Sequence, residues 1–191
     1  VPRRTRAARR SDAVISDAPG LACGVRTADC VPLLIACVET RRVAAVHAGW
    51  RGVVKGVAGA AIDEFRARGS RPEHLLVAIG PHISSSAFEI GDEVAQELRA
   101  ASDDASAVTA LAGQKPHAAL GRILLAQLSA CGVPSAQIEA LPGCTFTDRD
   151  EFFSYRRDGK HSGRQLSAIV SESLRRSERP ASDQNTVPHP L

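Results

Sequence analysis

Val31-Pro32-Leu33-Leu34-Ile35-Ala36-Cys37-Val38, then Glu39-Thr40-Arg41-Arg42, then Val43-Ala44-Ala45-Val46-His47, is the stretch from which the fold is read. The first run is apolar on both faces, the pattern of a strand buried inside a layered domain, and Pro32, which cannot donate to a ladder, is confined to its beginning. The four polar residues that follow predict a hairpin connection into a second apolar strand. Two adjacent strands therefore end together, one starting beside Cys30 and the other closing on His47.

Downstream, Gly49-Trp50-Arg51-Gly52 interrupts the strand pattern. Val53, Val54, Val57, Ala58, Ala61, Ile62 and Phe65 then recur at helical spacing, with Lys55, Asp63, Glu64 and Arg66 opposite them. This predicts one continuous amphipathic helix, stopped by Gly69. A buried strand at Leu75–Ile79, a helix over about 92–101, a surface loop over 102–112, a long helix over 118–131 and a short strand over 137–140 follow. Residues 164–175 repeat the amphipathic helical pattern through Leu166, Ile169, Val170 and Leu174. Upstream, residues 11–17 alternate weakly, and Ala18-Pro19-Gly20 supplies a turn before a strand over 21–26.

With 191 residues and 43% hydrophobic content, the chain can bury one substantial core and is too short for two ordinary domains. A single domain over 11–176 is expected, between a basic arm over 1–10 and a disordered tail over 177–191 rich in Pro, Ser, Asp and Asn. The formal charge of +3 comes from that arm, where Arg3, Arg4, Arg6, Arg9 and Arg10 lie; the rest of the chain is slightly acidic. No RNA- or DNA-binding motif follows the arm, so a nucleic-acid partner is not expected. Residues 1–20 hold no secretory apolar core, and no apolar run approaches the length of a membrane span. The expectation is a soluble, cytoplasmic protein without a membrane partner. Cys23, Cys30, Cys37, Cys131 and Cys144 form an odd set without a regular framework, which reads as free thiols.

Candidate chemistry gathers in two clusters. Cys30 follows Thr27-Ala28-Asp29, and His47 comes 17 residues later. A thiolate and an imidazole on neighbouring strand ends can share a zinc ion or act as a nucleophile and its base. Gly49 and Gly52, flanking Trp50 and Arg51, place backbone N–H groups and a predicted helix start beside His47, an arrangement suited to an anion, to which Arg51 can add a bidentate contact. The second cluster is Cys144-Thr145-Phe146-Thr147 with Phe152-Phe153-Ser154-Tyr155-Arg156-Arg157-Asp158-Gly159. Four of the seven aromatic residues fall within Phe146–Tyr155, and Arg156, Arg157 and Arg164 follow. Such a cluster, with Phe153, Arg156 and Arg157 foremost, can take a flat ring and an anion, or can form an aromatic mini-core with solvated arginines.

Thr27-Ala28-Asp29-Cys30-Val31-Pro32, His47-Ala48-Gly49-Trp50-Arg51-Gly52, Ile79-Gly80-Pro81, Phe88-Glu89-Ile90-Gly91, Cys144-Thr145 and Phe152 through Gly159 together resemble the multicopper polyphenol oxidase (laccase-domain, YfiH-like) family, in the family's order and over most of the chain. The resemblance implies an α/β protein, a four-layer α/β/β/α sandwich of mixed sheets similar to the cytotoxic necrotizing factor catalytic domain. It also implies purine nucleoside phosphorylase activity, with adenosine deaminase and methylthioadenosine phosphorylase activity, on purine nucleosides and phosphate. The family's zinc site carries over onto Cys30 and His47, with Asp29 placed to orient a ligand or to move a proton. Its third ligand is a His in a Gln-Val-His-Gly-type motif upstream, whereas the first histidine here is His47.

The absent motif, with Val1 as first residue and no methionine, leads to the expectation of an N-terminally truncated domain. If another residue completes the zinc site, His82 and His161 are the first candidates. Six scattered histidines do not form the clusters that multicopper oxidation requires, so copper and phenol oxidation stand as the minor alternative. A binding or regulatory protein, including a role in peptidoglycan precursor editing, and a metal-free Cys/His hydrolase are the others.

Overall fold

The hairpin read from the sequence is the centre of the molecule, whose computed structural model describes residues 11–110 and 112–171. The basic arm and the proposed tail lie outside the described residues. Strands β3 (Val31–Cys37) and β4 (Val43–Ala48) pair antiparallel with Leu34 opposite Ala45 and Pro32 opposite His47. The connection closes with the Arg41 N–H donating to the Cys37 carbonyl and Arg41 at φ 58°. Arg42, read as part of a polar turn, is instead buried: its guanidinium donates to the Arg68 carbonyl and the Ser70 hydroxyl, both at 2.9 Å.

Around this pair, β1 (Ala13–Ser16) joins the outer edge of β4, β5 (Leu75–Ile79) pairs antiparallel with β3, and β8 (Ile138–Ala140) runs parallel to β5. The result is a five-stranded mixed sheet in the order β1-β4-β3-β5-β8. A separate antiparallel ribbon forms from β2 (Ala22–Thr27) and β9 (Gln165–Val170), and a minor one from β6 (Val108–Thr109) and β7 (His117–Ala118).

Strand alternation divides the sheet's residues between two cores. Val31, Leu33, Ile35, Ala44 and Val46 pack with residues of α1 (Trp50–Val54), α2 (Val57–Ala67), α3 (Asp92–Ala100) and α4 (Leu120–Ala130), where Ile62, Phe65, Leu98, Ile123 and Leu128 are fully buried. Each such large side chain contributes about 1.5–3 kcal/mol by leaving water. Residues of the opposite phase, Leu34, Ala36, Val43 and Ala45, meet Cys23, Val25 and Ile169 of the β2–β9 ribbon. Cys30 and His47 share that second phase, so the chemistry falls on the ribbon side of the sheet.

Two predicted elements differ from what forms. The single helix after Gly52 is broken: α1 ends after five residues and Gly56, at φ 71°, starts α2 afresh. A left-handed φ costs glycine little, and the apolar periodicity passes through the break without recording it. Residues 165–170 are a strand, not part of a helix. Six cross-strand partners on β2 determine the conformation there, and Leu166 and Val170, taken as one side of a helix, stand exposed on the ribbon. The segment 102–112, read as loop, also contributes β6. Among the described residues no helix is long and apolar enough to cross a membrane, and all five cysteines are free thiols.

Candidate active site

The β3–β4 register brings Cys30 and His47 together. Val31 opposes Ala48, so Cys30, one residue before β3, and His47, one residue before the end of β4, sit at the same end of the pair. A Cβ built on Gly49 would lie 3.1 Å from the Cys30 Sγ, 3.7 Å from the His47 Cε1 and 3.9 Å from its Nε2. Thiol and imidazole thus face one small space that any residue larger than glycine would begin to fill. Gly49 is required here for close approach, its φ of −74° being open to any residue.

His47 is held from its other side by a residue the sequence analysis passed over. Asp12 accepts the His47 backbone N–H at 2.7 Å, and its Oδ1 lies 3.0 Å from the His47 Nδ1. A carboxylate on Nδ1 fixes the ring and its tautomer and leaves Nε2 for the Gly49 space, as is usual for metal-binding histidines. No spacing rule links Asp12 to a motif 35 residues away; the β1–β4 pairing makes the connection. A hydrogen bond with Cys30 raises the His47 pKa most; burial opposes this, Asp12 adds to the rise, and the net result is about 9. A metal ion binding at this pair would compete with the proton that the raised pKa favours on His47. Histidine NMR titration is expected to place His47 near 9, and Cys30→Ala is expected to return it towards 6.5. An unshifted titration in the parent chain would show that the two side chains are not in contact.

The donor set, one cysteine sulfur and one imidazole nitrogen around a space cleared by Gly49, is of the kind zinc takes and supplies two of the three protein donors usual in a catalytic site. Among the described residues no third His, Cys, Asp or Glu joins it. His82 does not: it is half-buried, its Nδ1 is 2.8 Å from the Gly80 carbonyl, and its Nε2 packs against Gly121. His161 lies in a short turn after α5 (Tyr155–Asp158) and is likewise not part of the pair.

Asp29 turns its carboxylate away from solvent into a set of protein donors. Its Oδ1 accepts the Thr145 hydroxyl at 2.7 Å, its Oδ2 accepts the Arg156 backbone N–H at 2.6 Å, and its carbonyl accepts the Ile83 N–H at 3.1 Å. With φ at 87° it occupies a conformation that L residues rarely adopt. One buried residue beside Cys30 thereby ties together three segments that are remote in sequence.

The second cluster docks onto the first through Asp29, and most of its arginine chemistry is internal. The Arg157 guanidinium donates to the Thr145, Phe146 and Phe152 carbonyls, each at 2.9 Å. Arg156 donates to the Glu89 carbonyl and lies over the Phe88 ring. Half-exposed Phe153 packs on Gly163, where a Cβ would come within 2.6 Å of its ring. Trp50 packs against the helical core, and the exposed Arg51 guanidinium lies 4.2 Å above the Trp50 ring. Gly52 packs between Val57 and the His47 carbonyl. In Cys144, hydrogen bonds from Ser84 and Thr147 outweigh burial and lower the thiol to about 7.

An open cleft of about 1,090 Å³ exposes His47, and its other lining residues are Ser11, Asp12, Arg26, Ser162 and Arg164. Arg26 stands one residue before the Thr-Ala-Asp-Cys segment and carried no signal beyond being a charge on a strand.

Residues 1–172 match the family model described as multi-copper polyphenol oxidoreductase laccase. The purine nucleoside phosphorylase YfiH of Shigella flexneri is 41% identical over 163 residues, covering 85% of this chain and 65% of that protein. A protein named adenosine deaminase RL5, from an unknown prokaryotic organism, is 36% identical over 160 residues, covering 83% of this chain and 60% of its own length. The crystal structure of the Bacillus licheniformis hypothetical protein YfiH superposes with a TM-score of 0.81 at 31% identity, over 85% of this chain and 62% of that one. The chain thus spans less than two thirds of the length of these relatives.

Proposed function

This chain belongs to the multi-copper polyphenol oxidoreductase laccase family, and on that premise we propose that its Cys30–His47 site serves a zinc-dependent purine nucleoside phosphorylase. The observation that carries the reading is the convergence of the Cys30 thiol and the His47 imidazole on the space above Gly49, with Asp12 on the far nitrogen of the ring. Cys30 and His47 would hold the ion, which when bound supplies Lewis-acid polarisation of a neighbouring oxygen or nitrogen. Asp12 orients His47, and Asp29 fixes the loop that delivers Cys30.

In the reaction, an oxygen of hydrogen phosphate forms a bond to the ribose C1′ while the C1′–N9 bond breaks. The electron pair of that bond passes to the purine, and the proton of the phosphate ends on the base. Free purine and ribose 1-phosphate result. Adenosine deamination is a second reading, favoured by the relative named adenosine deaminase RL5, and requires water and the same ion without phosphate. Methylthioadenosine phosphorolysis, a cytoplasmic setting and the four-layer sandwich of the complete fold belong to the same proposal.

The test is incubation of the full chain, with zinc, with inosine and with or without phosphate. Phosphate-dependent release of hypoxanthine and ribose 1-phosphate is expected. Zinc-loaded protein that binds inosine and converts neither it nor adenosine would replace this reading with a binding role.

A further inference from the structure

We infer that Arg26 and Arg164 form the anion subsite of this cleft and hold inorganic phosphate opposite His47; this rests on the phosphorolysis reading and assigns residues to it. Both arginines line the cleft that exposes His47, and Arg51 is not among its lining residues. The turn before α1 is a poorer anion holder than the sequence suggested, because the helix behind it is only five residues long.

The ribbon sets the spacing. Arg26 opposes Leu166 across the β2–β9 ladder, and Arg164 precedes β9 by one residue, which puts the two arginines in a diagonal relation. Diagonal neighbours in a ladder are about 7–8 Å apart at the backbone, a separation that two long side chains can close around one tetrahedral anion. Arg164 is already oriented: its Nη1 donates to the Ser162 and Gly163 carbonyls at 2.9 and 2.7 Å, and its guanidinium lies over the Tyr155 ring at 5.4 Å. Among the described residues its Nε and Nη2 have no protein acceptor, and Arg26 has neither an acceptor nor an acidic partner.

Two guanidinium groups facing one cleft repel each other unless an anion lies between them, and a planar fork matches two oxygens of a phosphate. Asp12, the one carboxylate in the lining, is engaged with His47. Ser162 places a hydroxyl at the same wall, although its hydrogen bond to the Gly163 carbonyl uses its proton and leaves it an acceptor, suited to the phosphate's own O–H.

The experiment has a binding arm and a kinetic arm. Inorganic phosphate and ribose 1-phosphate are each titrated by calorimetry into the full chain without nucleoside, for the parent, Arg26→Ala, Arg164→Ala and Arg51→Ala. Both ligands are expected to bind the parent, and each of the first two substitutions is expected to weaken them roughly 10- to 100-fold, the loss of one charge-assisted contact pair. In phosphorolysis the same two variants raise the KM for phosphate by a similar factor. Arg99→Ala, on the surface of α3, is the control for charge alone. If the parent binds phosphate through Arg26 and Arg164 but cleaves no nucleoside, the subsite stands and the enzymatic reading falls. Absence of phosphate binding at millimolar concentration, binding of the sugar ester alone, or a KM effect confined to Arg51→Ala would each overturn the assignment.

Discussion

Cys30→Ala is expected to abolish nucleoside turnover, while Asp12→Ala lowers it about 10- to 100-fold, the usual effect of removing a carboxylate that orients a metal-binding histidine. The inequality follows from position. Cys30 offers its sulfur to the space over Gly49 itself, whereas Asp12 reaches that space only through the His47 ring. The pair is read by assaying hypoxanthine release together with zinc content. Cys30→Ala protein should lose both, and Asp12→Ala protein should regain part of its activity as zinc is raised. Full activity in folded Cys30→Ala would remove the thiol from the chemistry, and a loss in Asp12→Ala that zinc does not relieve would give Asp12 a role beyond orienting the ring.

Sequence alone conveyed the centre of this fold and half of its site. The β3–β4 hairpin was legible because both strands are buried on both faces and so carry continuous apolar runs that no surface element imitates. The juxtaposition of Cys30 and His47 followed from that hairpin. Asp12 and Arg26 were not legible, and Arg164 was read only as one arginine of the second cluster, not as a neighbour of His47. They reach the cleft through pairings between β1 and β4 and between β2 and β9, which are non-local and leave no local pattern. The ribbon's first strand, β2, was read from the sequence, but its partner β9 was missed for a related reason. Its outer residues Leu166 and Val170 are apolar and exposed, so β9 lacks the polar-out alternation that marks a half-buried strand, and the same residues fit helical spacing as well. Arg157 illustrates the opposite error of emphasis: beside aromatic residues it looked like a ligand for anions, and the folded chain directs its guanidinium to three backbone carbonyls.

Asp29 provides the second large effect, and the substitution chosen decides what it means. Alanine would strand the Thr145 hydroxyl, which is wholly buried, and the Arg156 N–H, and would keep an L residue at φ 87° without the side-chain bonds that hold it there. Losses of this kind come to about 3–5 kcal/mol. In a domain of this size that lowers Tm by roughly 10 °C. Asparagine behaves differently. It tolerates left-handed φ, its carbonyl can accept the Arg156 N–H, and its amide can donate to a Thr145 hydroxyl that has turned to accept. Asp29→Asn should therefore melt within a few degrees of the parent and retain most of its turnover, because Cys30 is still delivered to the same place. Thermal unfolding and initial rates on the same preparations separate the two roles left open for this residue. Protein with Asp29→Asn that keeps the parent's Tm and loses its turnover would show that the carboxylate moves a proton; retention of both leaves Asp29 as the anchor that positions Cys30.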